Sequence, residues 1–330
     1  MPVRFLGPGL VLLFAVSQAF RDVYFAHVFQ GTDVLVVVLL AFSISAVVFG
    51  VAALMRAPAE FATMRAEWRV MLWMNATTAL AWISYFTSLK HLQPSIVNTL
   101  HSGIGPLTVI VLSGLGLHIA KPGAVRRLEY VCYAGLAGSL VFLWWVVLAG
   151  HSGFAADDPA VSVMALALLI VSGASITISL LLCKRLNERG VGADSVTAGR
   201  YILIVLVAFA AVMLGDVRSG VASAYDWTIL AAAATVLIVL PLYSLQVGIS
   251  RTAPLTAHVI RSLGPVCVFA LELADGRIGY SPLTLAGIAL YSAFSIAGNL
   301  TRGWGGEAEP RIVKSVGRIS EARRAGWPTA

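Results

Sequence analysis

The chain alternates between long runs of hydrophobic residues and short polar segments. Each hydrophobic run is about 20 residues long, the length at which an α-helix crosses the hydrocarbon core of a bilayer. Ten such runs fit, and they predict membrane-spanning helices (spans 1 to 10) at 6–28, 34–54, 70–89, 94–117, 130–149, 161–183, 196–215, 227–247, 253–273 and 282–300. The pattern therefore predicts an all-α polytopic membrane protein with ten transmembrane helices.

The composition agrees with a membrane protein and argues against a soluble one. Of 330 residues, 58% are hydrophobic and 12% are charged, whereas soluble domains carry about 25% charged residues. The cysteines Cys132, Cys183 and Cys267 all lie in apolar runs without CxxC spacing, which predicts neither a disulfide framework nor a zinc site. A net charge of +7 does not require nucleic acid as a partner, because membrane proteins concentrate Lys and Arg on one side. We expect no metal and no cofactor.

The charges in the polar segments predict the orientation of the chain. With a cytoplasmic N-terminus, the inside segments carry 17 Lys and Arg residues, and the outside segments carry only Lys90, Arg218 and Arg277. The positive-inside rule then places both termini in the cytoplasm. Residues 304–330 form a polar cytoplasmic tail. With 4 Lys against 19 Arg, and many Ala, Gly and Val, the composition is typical of a GC-rich coding sequence. We therefore expect the cytoplasmic (inner) membrane of a bacterium as the location.

The two halves of the chain share residues at matching positions. At a shift of 160 residues, identical residues align at four positions: Leu80 and Leu240, Ser84 and Ser244, Pro94 and Pro254, and Ser102 and Ser262. At a shift of 152, Ala134-Gly135 aligns with Ala286-Gly287. Because each half holds five spans, an odd number, the halves enter the membrane from opposite sides. Residues 1–150 and 151–303 are therefore predicted to be inverted repeats, as in many secondary transporters, whose substrate site lies near the midplane.

Two stretches resemble a known repeat. Residues 75–95 (NATTALAWISYFTSLKHLQPS), followed by Gly105-Pro106, resemble the end of one EamA repeat. Residues 248–257 (GISRTAPLTA), followed by Gly264-Pro265 and the acidic Glu272, resemble the end of another. The chain is similar in this respect to the drug/metabolite transporter superfamily, whose ten-helix members carry two EamA repeats.

The resemblance covers residues 5–300 and is specific to the architecture. It implies export of a small organic metabolite, in a family that moves amino acids, sugars, nucleotides and drugs. The second half follows the repeat pattern better than the first, since span 2 has no arginine matching Arg200 of span 7. Arg200 itself lies about one helical turn inside the cytoplasmic end of its span, where we expect its side chain to reach the interface.

Polar side chains within the spans are candidate site residues, because placing them at bilayer depth is costly. Spans 4 and 9 each carry three of them at positions i, i+3 and i+4, hence on one helical face: Asn98, His101 and Ser102, and His258, Arg261 and Ser262. We expect two symmetry-related faces of a central cavity. For the serines, the histidines and Asn98, the alternative is hydrogen bonding between helices without contact to a substrate.

Arg261 is the strongest candidate for substrate binding. It lies about eight residues from the cytoplasmic end of its span, or roughly 12 Å along a helix, which is too deep for its side chain to reach the interface. A cavity or an anionic partner is therefore required. With His101, His258 and Arg21 also in the cavity and few buried acids, we expect a substrate with a carboxylate or another anionic group.

Span 3 is unusually polar and supplies further candidates for the cavity wall. They are Asn75, Thr78, Trp82 and Tyr85, of which the last three share one stripe of the helix. Ordinary packing is the alternative for all of them. For Tyr85, the aromatic belt at the membrane interface is a further alternative.

Spans 1 and 9 carry acidic residues. The side chains of Arg21 and Asp22 leave the helix of span 1 about 100° apart, so we expect that they do not neutralise each other. We expect Arg21 to contact the substrate or to pair with another helix. Asp22 and Glu272 are candidates for proton coupling, as are His101 and His258. A solvated helix end is the alternative for Glu272.

These features predict a secondary active transporter that works by alternating access. Its expected partners are a small-molecule substrate, the lipid bilayer and a coupling proton. The sequence contains no Walker A, HExxH or GxSxG motif, so we do not expect an enzyme. The alternatives are a membrane enzyme with His101 or His258 as general base, and a non-transporting sensor or accessory protein. The small residues Ala289, Ala293 and Ala297 form a stripe that fits a neighbouring helix or a second copy in a homodimer.

Overall fold

The described part of the protein is helical throughout, without a strand. The computed structural model describes residues 6–115, 127–154, 158–215, 224–250, 252 and 254–303. In chain order the helices are α1 (Leu6–Gly31), α2 (Val34–Arg56), α3 (Glu60–Ala66), α4 (Trp68–His91), α5 (Pro94–Gly114), α6 (Arg127–Leu148), α7 (Pro159–Glu188), α8 (Ala193–Gly199), α9 (Ile202–Leu214), α10 (Ala224–Ala234), α11 (Leu240–Ser250), α12 (Pro254–Ser262), α13 (Gly264–Asp275) and α14 (Pro282–Gly303). A π-helical turn, Thr235–Val239, joins α10 to α11.

The lengths and apolar character of these helices confirm a polytopic membrane protein. Among the described residues, eight helical stretches are long and apolar enough to cross a bilayer: Leu6–Gly31, Val34–Arg56, Pro94–Gly114, Arg127–Leu148, Pro159–Glu188, Ala193–Leu214, Asp226–Leu245 and Pro282–Thr301. The other two predicted spans are also helical. Helix α4 has 24 residues but a more polar sequence, and α12 and α13 are short helices that meet at Leu263.

Contacts between loops define two opposite ends of the bundle. At the first, the Lys90 end, two hydrogen bonds join the loops: Gln30 Nε2 to the Lys90 carbonyl (3.0 Å) and the Gly279 N–H to the Gly153 carbonyl (2.9 Å). At the second, the Arg189 end, two ion pairs join them: Arg56 with Asp194 (2.9 Å) and Arg189 with Glu67 (2.7 Å). The connections after α1, α4, α6 and α13 therefore lie at the Lys90 end, and those after α2 and α7 lie at the Arg189 end.

One side chain of α4 holds the interruption between α8 and α9. Asn75 donates from Nδ2 to the carbonyl of Gly199, the last residue of α8 (2.8 Å), and its Oδ1 accepts from the N–H of Leu203 in α9 (3.1 Å). Backbone groups freed at a break must find partners where water is absent. Asn75 supplies one donor and one acceptor, so α4 stabilises a break in a helix of the other half.

A fully buried aromatic group forms the core between α1, α2 and α4. Phe25, Phe29, Phe42 and Phe86 are each 0% exposed. Their rings contact one another or their aromatic neighbours, with the Phe29 and Phe86 centroids 5.4 Å apart and those of Phe42 and Trp82 5.2 Å apart. Close packing of large rings leaves α4 little freedom to rotate. The polar side chains of the candidate functional site, described below, pack against this core.

Helix α14 packs against α6 through small residues outside the predicted alanine stripe. Gly287 lies against Leu143, where a Cβ would overlap that side chain. In the stripe, Ala289 and Ala293 are exposed and Ala297 is half-buried. The two exposed alanines therefore do not serve packing between helices of this chain.

Candidate functional site

A fully buried carboxylate, Asp22, lies where α1, α4 and α5 meet. Arg21 donates to its Oδ1 through Nε (2.9 Å) and Nη2 (2.7 Å). On Oδ2, the Tyr85 hydroxyl and the Asn98 amide each donate at 2.7 Å. A charged carboxylate inside a protein requires such donors, since burial removes its water. These four residues, which we call the Asp22 cluster, join three helices around one ion pair.

The ion pair corrects the expectation that Arg21 and Asp22 do not neutralise each other. The angle of about 100° describes how adjacent side chains leave the helix, but the guanidinium is carried on a long stem that folds back to the neighbouring carboxylate. Its carbon also lies over the rings of Trp82 (5.2 Å to the centroid) and Tyr85 (5.3 Å), in cation–π contact. Arg21 is 4% exposed and is held by protein groups.

Tyr85 lies inside the bundle, which corrects the alternative of an interfacial aromatic belt. It is 1% exposed. Its ring meets that of His101 edge to face, with centroids 4.6 Å apart. Trp82 is half-buried beside it, and the indole Nε1 is a buried donor without a partner among the described residues. Tyr85 thus connects the Asp22 cluster to the next polar layer.

That layer is a hydrogen-bonded chain from His101 to the backbone of α4. The Ser172 hydroxyl on α7 donates to the Ala81 carbonyl (2.7 Å), and its oxygen lies 2.9 Å from His101 Nδ1. Because the hydroxyl proton is already used, His101 donates from Nδ1, and this assigns the Nδ1–H tautomer to the neutral ring. The ring nitrogen Nε2 is then the acceptor, or the site of a second proton.

Arg261 reaches the same region from α12. Its side chain keeps accessible surface, and it lies within electrostatic range of His101 on α5 and Tyr291 on α14. Tyr291 itself is 3% exposed. None of the ion pairs among the described residues involves Arg261.

His258 and Ser262 flank Arg261 on α12. The helical backbone of His258 lies one turn before Arg261, and its side chain is outside what the structure describes. The Ser262 hydroxyl lies 2.8 Å from that of Ser295 on α14. Ser262 therefore joins two helices, as the alternative for the serines anticipated.

Glu272, the second buried acid, caps the start of α5. It is 1% exposed, so it is not a solvated helix end. Its carboxylate accepts from the Ser95 N–H, from the Ser95 hydroxyl (2.7 Å) and from Gln93 Nε2 (2.9 Å). Gln93 Oε1 in turn accepts from the Gly153 N–H (3.1 Å) and the Thr284 hydroxyl (3.3 Å). These residues, the Glu272 cluster, close the Lys90 end of the bundle.

The remaining span 3 candidates serve helix packing. Thr78 lies 2.6 Å, oxygen to oxygen, from the Ser179 hydroxyl on α7. Both ends of the Asn75 amide are occupied at the α8–α9 break.

Arg200, at that break, is 6% exposed, which corrects the expectation that it reaches the interface. It is a buried cation.

The serines of α7 are site residues that the sequence reasoning did not single out. Ser172, Ser175 and Ser179 are all buried, at i, i+3 and i+7 of an otherwise apolar helix. This spacing places them on one face, and the same polar stripe is visible in the sequence. Ser95 and Gln93 carried no such signal, since their role depends on Glu272 from a distant helix. Within the described residues, no group of His, Cys, Asp and Glu is arranged to hold a metal ion.

Comparison with known proteins shows a similar fold but assigns the chain to no family. No family model matches the sequence, and no curated protein sequence matches it. A solved structure titled only "Crystal structure of protein" is similar to this chain, with a TM-score of 0.61 and 18% identity, over 91% of this chain and 96% of the other. At that identity the likeness concerns the fold alone. The fold is therefore shared by another protein of nearly the same length.

Proposed function

We propose that the protein is a secondary active transporter of the cytoplasmic membrane that exports a small organic metabolite, amino-acid-like or anionic, by alternating access. In this proposal it has ten transmembrane helices in two inverted repeats, as the resemblance to the drug/metabolite transporter superfamily implies. The observation that carries the proposal is Arg261, a cation within a predicted span that lies near His101 and Tyr291 and belongs to none of the ion pairs among the described residues. Both buried acids described above are bonded to other residues, Asp22 to Arg21 and Glu272 to Ser95.

The packing of the helices supports inverted repeats. Under the proposed symmetry, α4 corresponds to α10–α11 and α7 corresponds to α1. Helix α4 packs on α7, and α11 correspondingly packs on α1. Three further contacts join helices that this symmetry would interchange: α6 with α14, α2 with α8 and α9, and α5 with α13. A pseudo-twofold axis between the halves produces this pattern.

The charges near Arg261 favour an anionic substrate. An arginine guanidinium binds a carboxylate or phosphate through two parallel hydrogen bonds. The Tyr291 hydroxyl lies in the same region. The neutral His101 ring presents Nε2 as an acceptor, which suits a donor group of the substrate such as an ammonium. Because the Asp22 carboxylate is already shared by Arg21, Tyr85 and Asn98, it does not compete for Arg261. An amino acid, a carboxylate or a phosphorylated metabolite satisfies this site.

The polar layers indicate from which end a substrate reaches Arg261. Along α5, Ser95 bonds to Glu272, Asn98 to Asp22 and His101 to Ser172, in order from the Lys90 end. The first two layers are fully buried and close that end. Access in this conformation is therefore from the Arg189 end, where we propose the cytoplasm lies because its loops carry most basic residues.

A coupling proton is part of the proposal, with Asp22 and Glu272 as the groups that would accept it. Asp22 accepts hydrogen bonds from α4 and α5. Glu272 of α13 accepts them from the start of α5. Protonation would remove charge from these bonds and weaken them. The same event would loosen the closed Lys90 end, which links proton binding to opening.

Counterflow in reconstituted liposomes tests the transporter. Liposomes are loaded with one unlabelled amino acid or carboxylate at a time, and uptake of the same labelled compound is measured against empty liposomes. We expect transient accumulation of at least one anionic or zwitterionic compound. Conversion of a compound without accumulation would favour a membrane enzyme. Neither accumulation nor conversion across the panel would favour a sensor or accessory protein.

A further inference from the structure

Arg200 is a buried cation that the proposed transport site does not use. Its guanidinium makes one long hydrogen bond, from Nη2 to the Ser179 hydroxyl (3.4 Å). Its Nε is buried and has no partner among the described residues. None of the ion pairs in that part of the chain includes it. A guanidinium carries five N–H donors and no acceptor, so most of its hydrogen-bonding capacity is unused.

The next residue adds a second donor without a partner. Tyr201 is 0% exposed, and its hydroxyl has no hydrogen-bond partner among the described residues. The Arg200 guanidinium carbon lies 5.4 Å from the centre of the Tyr201 ring. Unpaired buried polar atoms are rare in proteins and require an explanation. Here a cation with one long hydrogen bond lies beside a hydroxyl that has no acceptor among the described residues.

The surroundings show which side of the helix this site faces. Gly199 and Ile202 line an apolar groove of about 780 Å³ that opens sideways between α2, α4 and α9, and Arg200 is not part of its lining. The Arg200 side chain reaches instead toward Ser179 on α7. Ser179 lies seven residues beyond Ser172 on the same face, roughly 10 Å further toward the Arg189 end. Arg200 therefore reaches the α7 face that also carries the His101 contact, and the Tyr201 ring beside it packs on Phe42 of α2 inside the bundle.

We propose that Arg200 and Tyr201, with the Ser179 hydroxyl, form a second anion-binding site, separate from Arg261, for the carboxylate or phosphate group of a soluble ligand. Nε and Nη2 of Arg200 bind two oxygens of the anion side by side, and the Tyr201 hydroxyl donates to one of them. This second site rests on the proposed transport function. It is an additional binding position for the anionic substrate on its path from the Arg189 end to the central cavity. A lipid headgroup offers the same chemistry, but it would approach from the lateral groove.

Thermal unfolding of the purified full-length protein in a neutral detergent tests the site. Acetate and inorganic phosphate are titrated separately, with chloride at equal ionic strength as the control. We expect at least one of the two anions to raise the unfolding temperature of the natural protein above the chloride value. In Arg200→Gln we expect the apparent affinity to fall roughly tenfold or more, the loss typical of a charged hydrogen bond. Arg56→Gln, an exposed arginine near the same end, is the matched control and keeps the response.

The outcomes separate this site from its alternatives. An unchanged response in Arg200→Gln, or a response lost only in Arg261→Gln, would overturn the proposal. Stabilisation by added phosphatidylglycerol but by neither soluble anion would overturn it in favour of a lipid headgroup. If Arg200→Gln does not fold, Tyr201→Phe removes only the hydroxyl and is expected to weaken anion binding severalfold. The assay requires no transport. If Arg200→Gln loses the anion response and the natural protein shows no counterflow, the site is retained and the proposed function is contradicted.

Discussion

Glu272 accepts hydrogen bonds from both the N–H and the hydroxyl of Ser95. The two residues belong to different halves of the chain, with Glu272 near the end of α13 and Ser95 in the first turn of α5. The first N–H groups of a helix lack partners within it and carry partial positive charge. A carboxylate is the group best suited to them. The contact thus closes the Lys90 end and satisfies the start of α5.

Replacing this carboxylate is expected to destabilise the protein. In Glu272→Gln, the amide NH₂ would face the Ser95 and Gln93 donors, and at least one buried donor would lose its acceptor, at about 1–3 kcal/mol. We expect a lower unfolding temperature in detergent. Glu188→Gln, at an exposed position, is the control and should change it little. Equal unfolding temperatures for both variants would contradict the closing role of Glu272.

Arg261 is expected to be required for transport and not for folding. Arg261→Ala should abolish counterflow of a carboxylate substrate while folded protein stays in the membrane, since none of the ion pairs in the described part of the chain includes Arg261. Arg261→Lys keeps the charge but loses the planar fork, and should retain weakened transport. Arg277→Ala, an exposed arginine at the Lys90 end, is the control for both. Normal transport by Arg261→Ala would show that the cavity assignment is wrong.

The Arg21–Asp22 pair is expected to be stabilising as a unit. Asp22→Asn leaves a buried guanidinium without its counter-charge, at a cost of about 3–5 kcal/mol. Arg21→Gln should have a similar effect, and the double variant should lose less than the sum of both. The exposed pair Arg277–Asp275 serves as comparison, where Asp275→Asn is expected to cost at most about 1 kcal/mol. Additive losses at Arg21 and Asp22, measured by denaturant or thermal unfolding, would contradict the coupling.

Two glycines one turn apart on α6 are expected to respond oppositely to alanine. A Cβ on Gly135 would overlap the Phe294 ring of α14, whereas a Cβ on Gly138 meets nothing within 4 Å. Gly135→Ala should therefore lower the unfolding temperature. Gly138→Ala should leave it unchanged or raise it, because alanine favours a helix by about 1 kcal/mol over glycine. Similar behaviour of both variants would show that α6 and α14 are not closely packed there.

The topology is expected to place the Lys90 end outside the cell. Reporter fusions after residues 30, 92, 154, 220 and 278 should all report an external location. Fusions after residues 58 and 190, at the Arg189 end, should report the cytoplasm and act as internal controls. Two or more of the first five reporting the cytoplasm would overturn both the orientation and the inverted repeat.

The positions of the helices follow from the sequence, because an apolar run of about 20 residues can satisfy its backbone in a bilayer only as a helix. Their interruptions do not follow. The break at Arg200 and Tyr201 depends on Asn75, a polar residue on another helix whose side chain bonds both ends. From the sequence alone, Asn75 is an equally good candidate for lining the cavity wall as for bonding a helix break.

The candidate site was likewise only partly predictable. The facing positions of Asn98 and His101 follow from helical spacing, and the structure places both in buried or half-buried polar contacts. The pairing of Arg21 with Asp22 did not follow, since an angular argument describes the Cβ atoms and not the end of a long side chain. Glu272 needed a partner from the other half, which no local pattern contains.

The bonds from α4 also determine which parts of the protein move together. Thr78 and Ser88 of α4 bond to α7, and Asn75 bonds across the start of α9. One helix of the first half of the chain is thereby tied to two elements of the second half. In the proposed rocking motion these helices would travel as one mechanical unit, and the hinge surface would pass through each half. Neither half expressed alone would then contain a complete moving unit, and we expect co-expressed halves to regain function only by assembling with each other.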